Sequence, residues 1–136
     1  MIEQLLEKYS GRVNLVLKHY PLSQHKAARA AARAALAASR QGKYIELSDL
    51  MYKNYKTLND DRIKEYAQQV GLDMVKFEGD LNSAAVREII QQDIGLARKI
   101  RIRGVPSLYI NGRAVKNYSL DGMSQMIEKE LEKSQQ

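Results

Sequence analysis

The amino-acid sequence predicts an α/β fold, and three observations carry that expectation. Late in the chain, Arg103-Gly104-Val105-Pro106-Ser107-Leu108-Tyr109-Ile110-Asn111-Gly112-Arg113 reads as a proline loop, an apolar strand and a tight hairpin. Near the start, Arg12 to Tyr20 has the composition of a strand. Between the two, the apolar residues recur at helical spacing. Asn111-Gly112 is the strongest of these signals, because both central positions of the favoured two-residue turn need positive φ and these residues tolerate it. Pro106 sits just ahead of the strand, where its missing N–H costs least.

Taken in order, Ile2, Leu5, Leu6 and Tyr9 fall at i, i+3, i+4 and i+7, so the chain opens on an amphipathic helix that Gly11 stops. Arg12–Tyr20 follows, with Val13, Leu15 and Leu17 on one face and Val16 on the other, until Pro21 ends it. Apolar residues on both faces predict a buried strand. Ser23 is the expected N-cap of a helix to about Arg40, closed by Gly42. Nine alanines between Ala27 and Ala38, with Leu36 the only large apolar side chain, favour helix and allow close approach of a neighbour. Lys26, Arg29, Arg33 and Arg40 form a basic stripe on it, read first as a solvated face and second as a surface for an acidic partner.

Tyr44, Leu47 and Met51, widened by Leu50, continue as a second helical face. Asn59 or Asp60 caps a stripe of Ile63, Tyr66, Ala67 and Val70 that ends at Gly71. Asp73 caps a short helix carrying Val75, Phe77 and Leu81, and Ser83 a longer one carrying Val86, Ile89, Ile90, Ile94 and Ala97. Strands are expected over Ser107–Ile110 and Arg113–Lys116, then a last helix from about Leu120 with Met123, Met126, Ile127 and Leu131 inward.

Composition removes several function classes. There is no cysteine, so disulfides, thiol catalysis and thiolate metal sites are absent from this polypeptide. His19 and His25 are the only imidazoles and have no third ligand at a metal-site spacing, so no metal is expected. Ser107 lies in no nucleophile elbow and reads as a strand-start serine. No catalytic residue and no cofactor is expected. The net charge of +6 favours acidic partners, but no nucleic-acid motif accompanies it and nucleic-acid binding is not expected. Arg98, Lys99, Arg101 and Arg103 suit a helix C-terminus. No apolar run is long enough for a membrane span, and the opening residues are too charged for a signal peptide.

The order helix tail, strand, proline turn, helical insert, proline loop, hairpin and helix resembles the DsbA-like branch of the thioredoxin fold over essentially Ile2 to Glu132. Gly104-Val105-Pro106-Ser107-Leu108-Tyr109-Ile110-Asn111-Gly112 is similar to the family's proline loop and hairpin, and Lys18-His19-Tyr20-Pro21-Leu22-Ser23-Gln24-His25 to its strand end and turn. The alanine-rich run resembles the helix after that turn, and Tyr66-Ala67-Gln68-Gln69-Val70-Gly71-Leu72-Asp73 a phrase of the insert. The resemblance implies one thioredoxin-like, DsbA-type domain over residues 1–136, with a helical insert at about 23–100 and a sheet truncated at its N-terminal side. It implies a parent activity of thiol–disulfide oxidoreduction in the periplasm or another extracytoplasmic space. It also implies a cis bond before Pro106, with Val105 and Pro106 contacting an extended peptide or unfolded protein substrate. The family's Cys-x-x-Cys pair is missing, so this chain is expected to be redox-inert. The alternative reading is a non-catalytic peptide- or protein-binding module that uses the Pro106 loop and exposed strand edges. Loss of a central strand would leave two apolar edges, from which a homo-oligomer is expected; the competing outcome is direct pairing of the two edge segments.

Overall fold

Helices dominate the computed structural model, which describes residues 1–136. In chain order the elements are α1 (Ile2–Lys8), α2 (Ala28–Ser39), α3 (Tyr44–Lys53), a 3-10 turn (Tyr55–Thr57), α4 (Asp60–Gln69), α5 (Met74–Leu81), α6 (Ala84–Lys99), β1 (Tyr109–Ile110), β2 (Arg113–Ala114) and α7 (Leu120–Ser134). They fall into two compact units, one of residues 1–17 with 102–136 and one of residues 18–101.

Within residues 18–101 local signals decide most helix ends. Asn59, Asp73 and Ser83 accept hydrogen bonds from the N–H groups of Arg62, Lys76 and Val86, satisfying donors that the helix itself leaves unpaired. Ser23 does not play that part. Residues 23–27 form turns tied by His25 N–H to Leu22 O at 3.1 Å and Ala28 N–H to His25 O at 3.0 Å, and α2 starts at Ala28 with no side-chain cap. Its alanines have enough intrinsic propensity to begin without one.

The buried side of α2 is almost all alanine, which brings its axis close to Leu47 and Met51 of α3, Ile63 and Ala67 of α4 and Phe77 of α5. A second cluster joins Ala32 to Val86, Ile90 and Ile94 of α6, with Tyr20 and Leu36 at its margin. Two residues expected inward point out: Val75 is 87% exposed and Ile89 is also exposed. Each lies off the stripe set by its neighbours, Val75 two residues from buried Phe77 and Ile89 one residue from buried Ile90, roughly 200° and 100° around the helix. Asp93 is buried but satisfied, accepting from the His19 N–H at 2.8 Å and facing Lys18 Nζ at 3.0 Å.

In the other unit, α1 and α7 pack through Leu5, Tyr9, Met123 and Ile127 against Val115. The Tyr9 hydroxyl donates to Glu128 Oε1 at 2.7 Å, and this bond is the main reason the Glu128 carboxyl titrates below its usual range. The hairpin forms as expected: Asn111 and Gly112 have φ of 46° and 78°, setting Tyr109 opposite Ala114 and Ile110 opposite Arg113. Its strands are only two residues each, shorter than Ser107–Ile110 and Arg113–Lys116.

The α/β expectation therefore holds in part, because β1 and β2 are the whole sheet. Arg12–Tyr20 is not a strand, and Val13–Leu17 make no backbone hydrogen bond. Leu15, Val16 and Leu17 are exposed, Val16 by 72%, rather than buried. The physical reason is the missing partner: a strand exists only as half of a ladder, whatever its composition. Nor do Arg12–Leu17 and β1 pair with each other, so the edges stay apart.

Candidate functional site

What lies between those edges is a cleft of about 500 Å³ within the unit of residues 1–17 and 102–136. Arg12–Val16 form one rim and Leu108–Asn111 the other. Leu5 of α1, Val115 after β2 and Met123, Ile127 and Leu131 of α7 line it with apolar carbon. Glu130 also lines it, held by Arg113 Nε at 3.3 Å and by Lys133, two cations that favour its charged form. The Lys133 and Asn111 bonds and the Arg113 charge together hold the Glu130 carboxyl below its usual range, Lys133 contributing most.

Both rims carry unused backbone hydrogen-bonding groups. Val13–Leu17 make no backbone bonds at all. On the other side, β1 is laddered to β2 along one edge only, and Leu108 O continues that ladder by accepting from Val115 N–H at 2.9 Å. Tyr109, between the residues that face β2, turns its N–H and C=O to the opposite edge.

The proline loop precedes this rim. Val105–Pro106 is cis, and both residues are exposed, Val105 by 53%. Neither lines the cleft, whose rim begins at Leu108. Ser107 Oγ donates to Gly104 O at 2.7 Å, so the serine pins the loop. Nothing in the sequence around Tyr118 marks it as part of a site. Its hydroxyl lies 3.4 Å from Leu108 N and 3.5 Å from Pro106 O, long contacts that nonetheless set the phenol beside the loop backbone. Only its position after the hairpin could have drawn attention to it.

His19 and His25 do not meet in a ligand cluster. His19 instead packs 6.0 Å from the Tyr44 ring, and burial pushes its pKa down against the opposing pull of Asp93, with Lys18 adding to the fall. Arg98 and Lys99 occupy the last turn of α6, where they complement its negative end.

Residues 1–129 match the Thioredoxin_4 family, described as Thioredoxin. The chain belongs to that DsbA-like family. A thioredoxin-like oxidoreductase from Silicibacter pomeroyi superposes with a TM-score of 0.75 at 27% identity, over 96% of this chain and 75% of that one. Proteus mirabilis DsbA, solved with a non-covalently bound peptide, superposes at 0.64 and 18% identity over 78% of this chain and 64% of that one, which is a likeness of fold. In sequence, the chain is 28% identical to a probable disulfide bond formation protein D of Bacillus cereus, over 98% of its own length and 66% of the relative's. It is 33% identical to a Na(+)/H(+) antiporter NhaA 3 of Salinispora tropica over 82% of this chain, though it spans only 17% of that protein. The family is thus one of thioredoxin-fold oxidoreductase domains, and this member contains no cysteine. None of its helices is long and apolar enough to cross a membrane.

Proposed function

We propose that this chain is the substrate-side part of a DsbA-like thiol–disulfide oxidoreductase, which holds an extended peptide or unfolded segment and contributes no thiol of its own. The carrying observation is the cleft, with an apolar lining between two rims that each carry unpaired backbone groups, Val13–Val16 on one side and Tyr109 on the other. An extended segment entering it pairs with Tyr109 on one side or Val13–Leu17 on the other and sets alternate side chains on the lining. Val105 and Pro106, exposed just ahead of the Leu108 rim in the chain, are the substrate contacts of the loop. The peptide bound to Proteus mirabilis DsbA supports this use of the fold. Disulfide exchange requires a thiolate, so any redox step draws its cysteines from outside these residues. The family resemblance supports a place of work outside the cytoplasm, in the periplasm or another extracytoplasmic space.

The absence of cysteine favours a second reading, a non-catalytic binding module that uses the same loop and edges. In either reading identical chains offer identical open edges, so a homo-oligomer forms when no peptide is present.

Titration of isotopically labelled chain with a short peptide of alternating apolar residues, followed by amide NMR, tests the proposal. Shifts confined to Val13–Leu17, Val105–Asn111 and the apolar lining are expected; an unchanged spectrum at about 1 mM peptide, where even a weak complex forms, would overturn it. Light scattering over a dilution series should show an oligomer that the peptide dissociates, and a monodisperse monomer at every concentration would defeat that part. Insulin reduction by a thiol-free preparation should be nil, and turnover there would refute redox inertness.

A further inference from the structure

The basic stripe of α2 does not behave as one solvated face. Arg40 pairs with Asp80 at 2.8 Å, whereas Arg29 and Arg33, one turn apart, border a pocket of about 220 Å³ together with Arg87, Ile90 and Gln91 of α6. No carboxylate lines this pocket. None of its three arginines belongs to any ion pair of the structure. Arg33 is half-buried and its Nε is enclosed without a hydrogen-bond partner, so this cation lines the pocket with part of its solvation removed.

The helix ends add to the same imbalance. Neither α2 nor α6 has an acidic residue in its first turn, where the positive end of the dipole favours one. Arg29 and Arg87 stand in those turns instead. Three arginines and a glutamine therefore line one pocket that has no negative charge among its lining residues, a setting that favours an anion.

We infer that this pocket binds a phosphate group, either inorganic phosphate or the phosphate of a small monoester. Arginine presents planar paired donors that match phosphate oxygens bidentately. A dianion answers three cations better than a single carboxylate does, and Gln91 has an amide to donate to the remaining oxygen. Ile90 gives the pocket one apolar wall, suited to the carbon side of an ester. The site lies wholly within residues 18–101 and is independent of the peptide cleft.

The test is calorimetry of the whole chain with inorganic phosphate and, separately, with glycerol phosphate, in low-chloride buffer, alongside amide NMR. Saturable binding with shifts centred on Arg29, Arg33, Arg87 and Gln91 is expected. Arg87→Gln, at an exposed position, should weaken it at least tenfold without altering the circular dichroism. Arg33→Gln should do the same, and Arg87→Gln keeps the test valid if Arg33→Gln unfolds. Tighter binding of glycerol phosphate would assign the site to esters, and equal or weaker binding would assign it to free phosphate. Lack of saturation, shifts spread over all basic residues, or unchanged affinity in Arg87→Gln would each overturn the inference.

Discussion

Residues 18–101 close around their own apolar surface, whereas residues 1–17 with 102–136 leave a cleft open, and the difference lies in the reach of the interactions each uses. The closed unit is all helix, so its backbone is satisfied within each element and side-chain caps satisfy donors at Asn59, Asp73 and Ser83. Its packing then has only to bury stripes such as Leu47–Met51 and Ile63–Ala67. The open unit contains the strand-like sequence of the molecule, and a strand cannot satisfy its backbone alone. Arg12–Val16 carries Val13, Leu15 and Val16 on a strand-like pattern and yet lies at a rim. Helix is a local property here, and sheet is a relation between segments.

The largest expected effect comes from setting one side chain of each unit against the other. Phe77, fully buried between α2 and its neighbours, should cost about 3–5 kcal/mol when cut to Ala, the usual loss for a large core aromatic. Leu15→Ala, on the unpaired rim, should stay within about 0.5 kcal/mol, as exposed positions do. Urea denaturation of both variants checks the contrast. A loss at Leu15 comparable to that at Phe77 in the dissociated monomer would mean that the rim is covered within the chain itself and that the cleft is not free.

The parts that could be read in advance are those governed by neighbours in the chain. Asn111-Gly112 specified its turn because the φ requirement belongs to those two residues. The caps at Asn59, Asp73 and Ser83 were readable for the same reason. Ser23 misled because its surroundings form a turn that competes with helix, while the alanines behind it need no cap. Leu5, Met123 and Ile127 were visible as helical stripes, but nothing local says that their surface borders an opening. Arg29 and Arg33 were visible as a stripe as well. That Arg87 would join them depends on α2 packing on α6, a contact between distant parts of the sequence.

A second prediction uses pH, which reaches the closed unit through His19 and Glu46 and the open one through Glu128 and Glu130. Burial lowers the His19 pKa from 6.5, so below that value the unfolded chain binds the proton more readily than the folded one. Stability should then fall as pH drops through 6.5 towards the depressed folded value, and His19→Gln should flatten that part of the profile. Further loss below 4.5 is expected from Glu46, Glu128 and Glu130, whose carboxyls are held down by hydrogen bonds and nearby cations. Denaturant midpoints measured from pH 7 to pH 4 separate the two ranges. An unchanged slope between pH 7 and 5.5 in His19→Gln would remove His19 as the cause.

The smallest expected effect sits at the end of α6, where the closed unit stops. Ile100 caps the helix and Arg101 follows in the left-handed region at φ 59°, its N–H bonded to Arg98 O at 3.0 Å. That conformation costs a residue with a Cβ about 1–2 kcal/mol, and glycine escapes it while giving up about 0.5–1 kcal/mol through its freer unfolded chain. The backbone part of Arg101→Gly should therefore stabilise the protein by about 0.5–1 kcal/mol, the difference between those effects. The guanidinium also favours the negative helix end by about 0.3–1 kcal/mol, so Arg101→Ala is the necessary control. It removes the same charge and keeps the Cβ. Glycine should exceed alanine by that difference, about 0.5–1 kcal/mol, read as a higher urea midpoint at constant slope. Equal midpoints would show that α6 ends through its tertiary contacts, and that local rules stop short of the closed unit's own boundary.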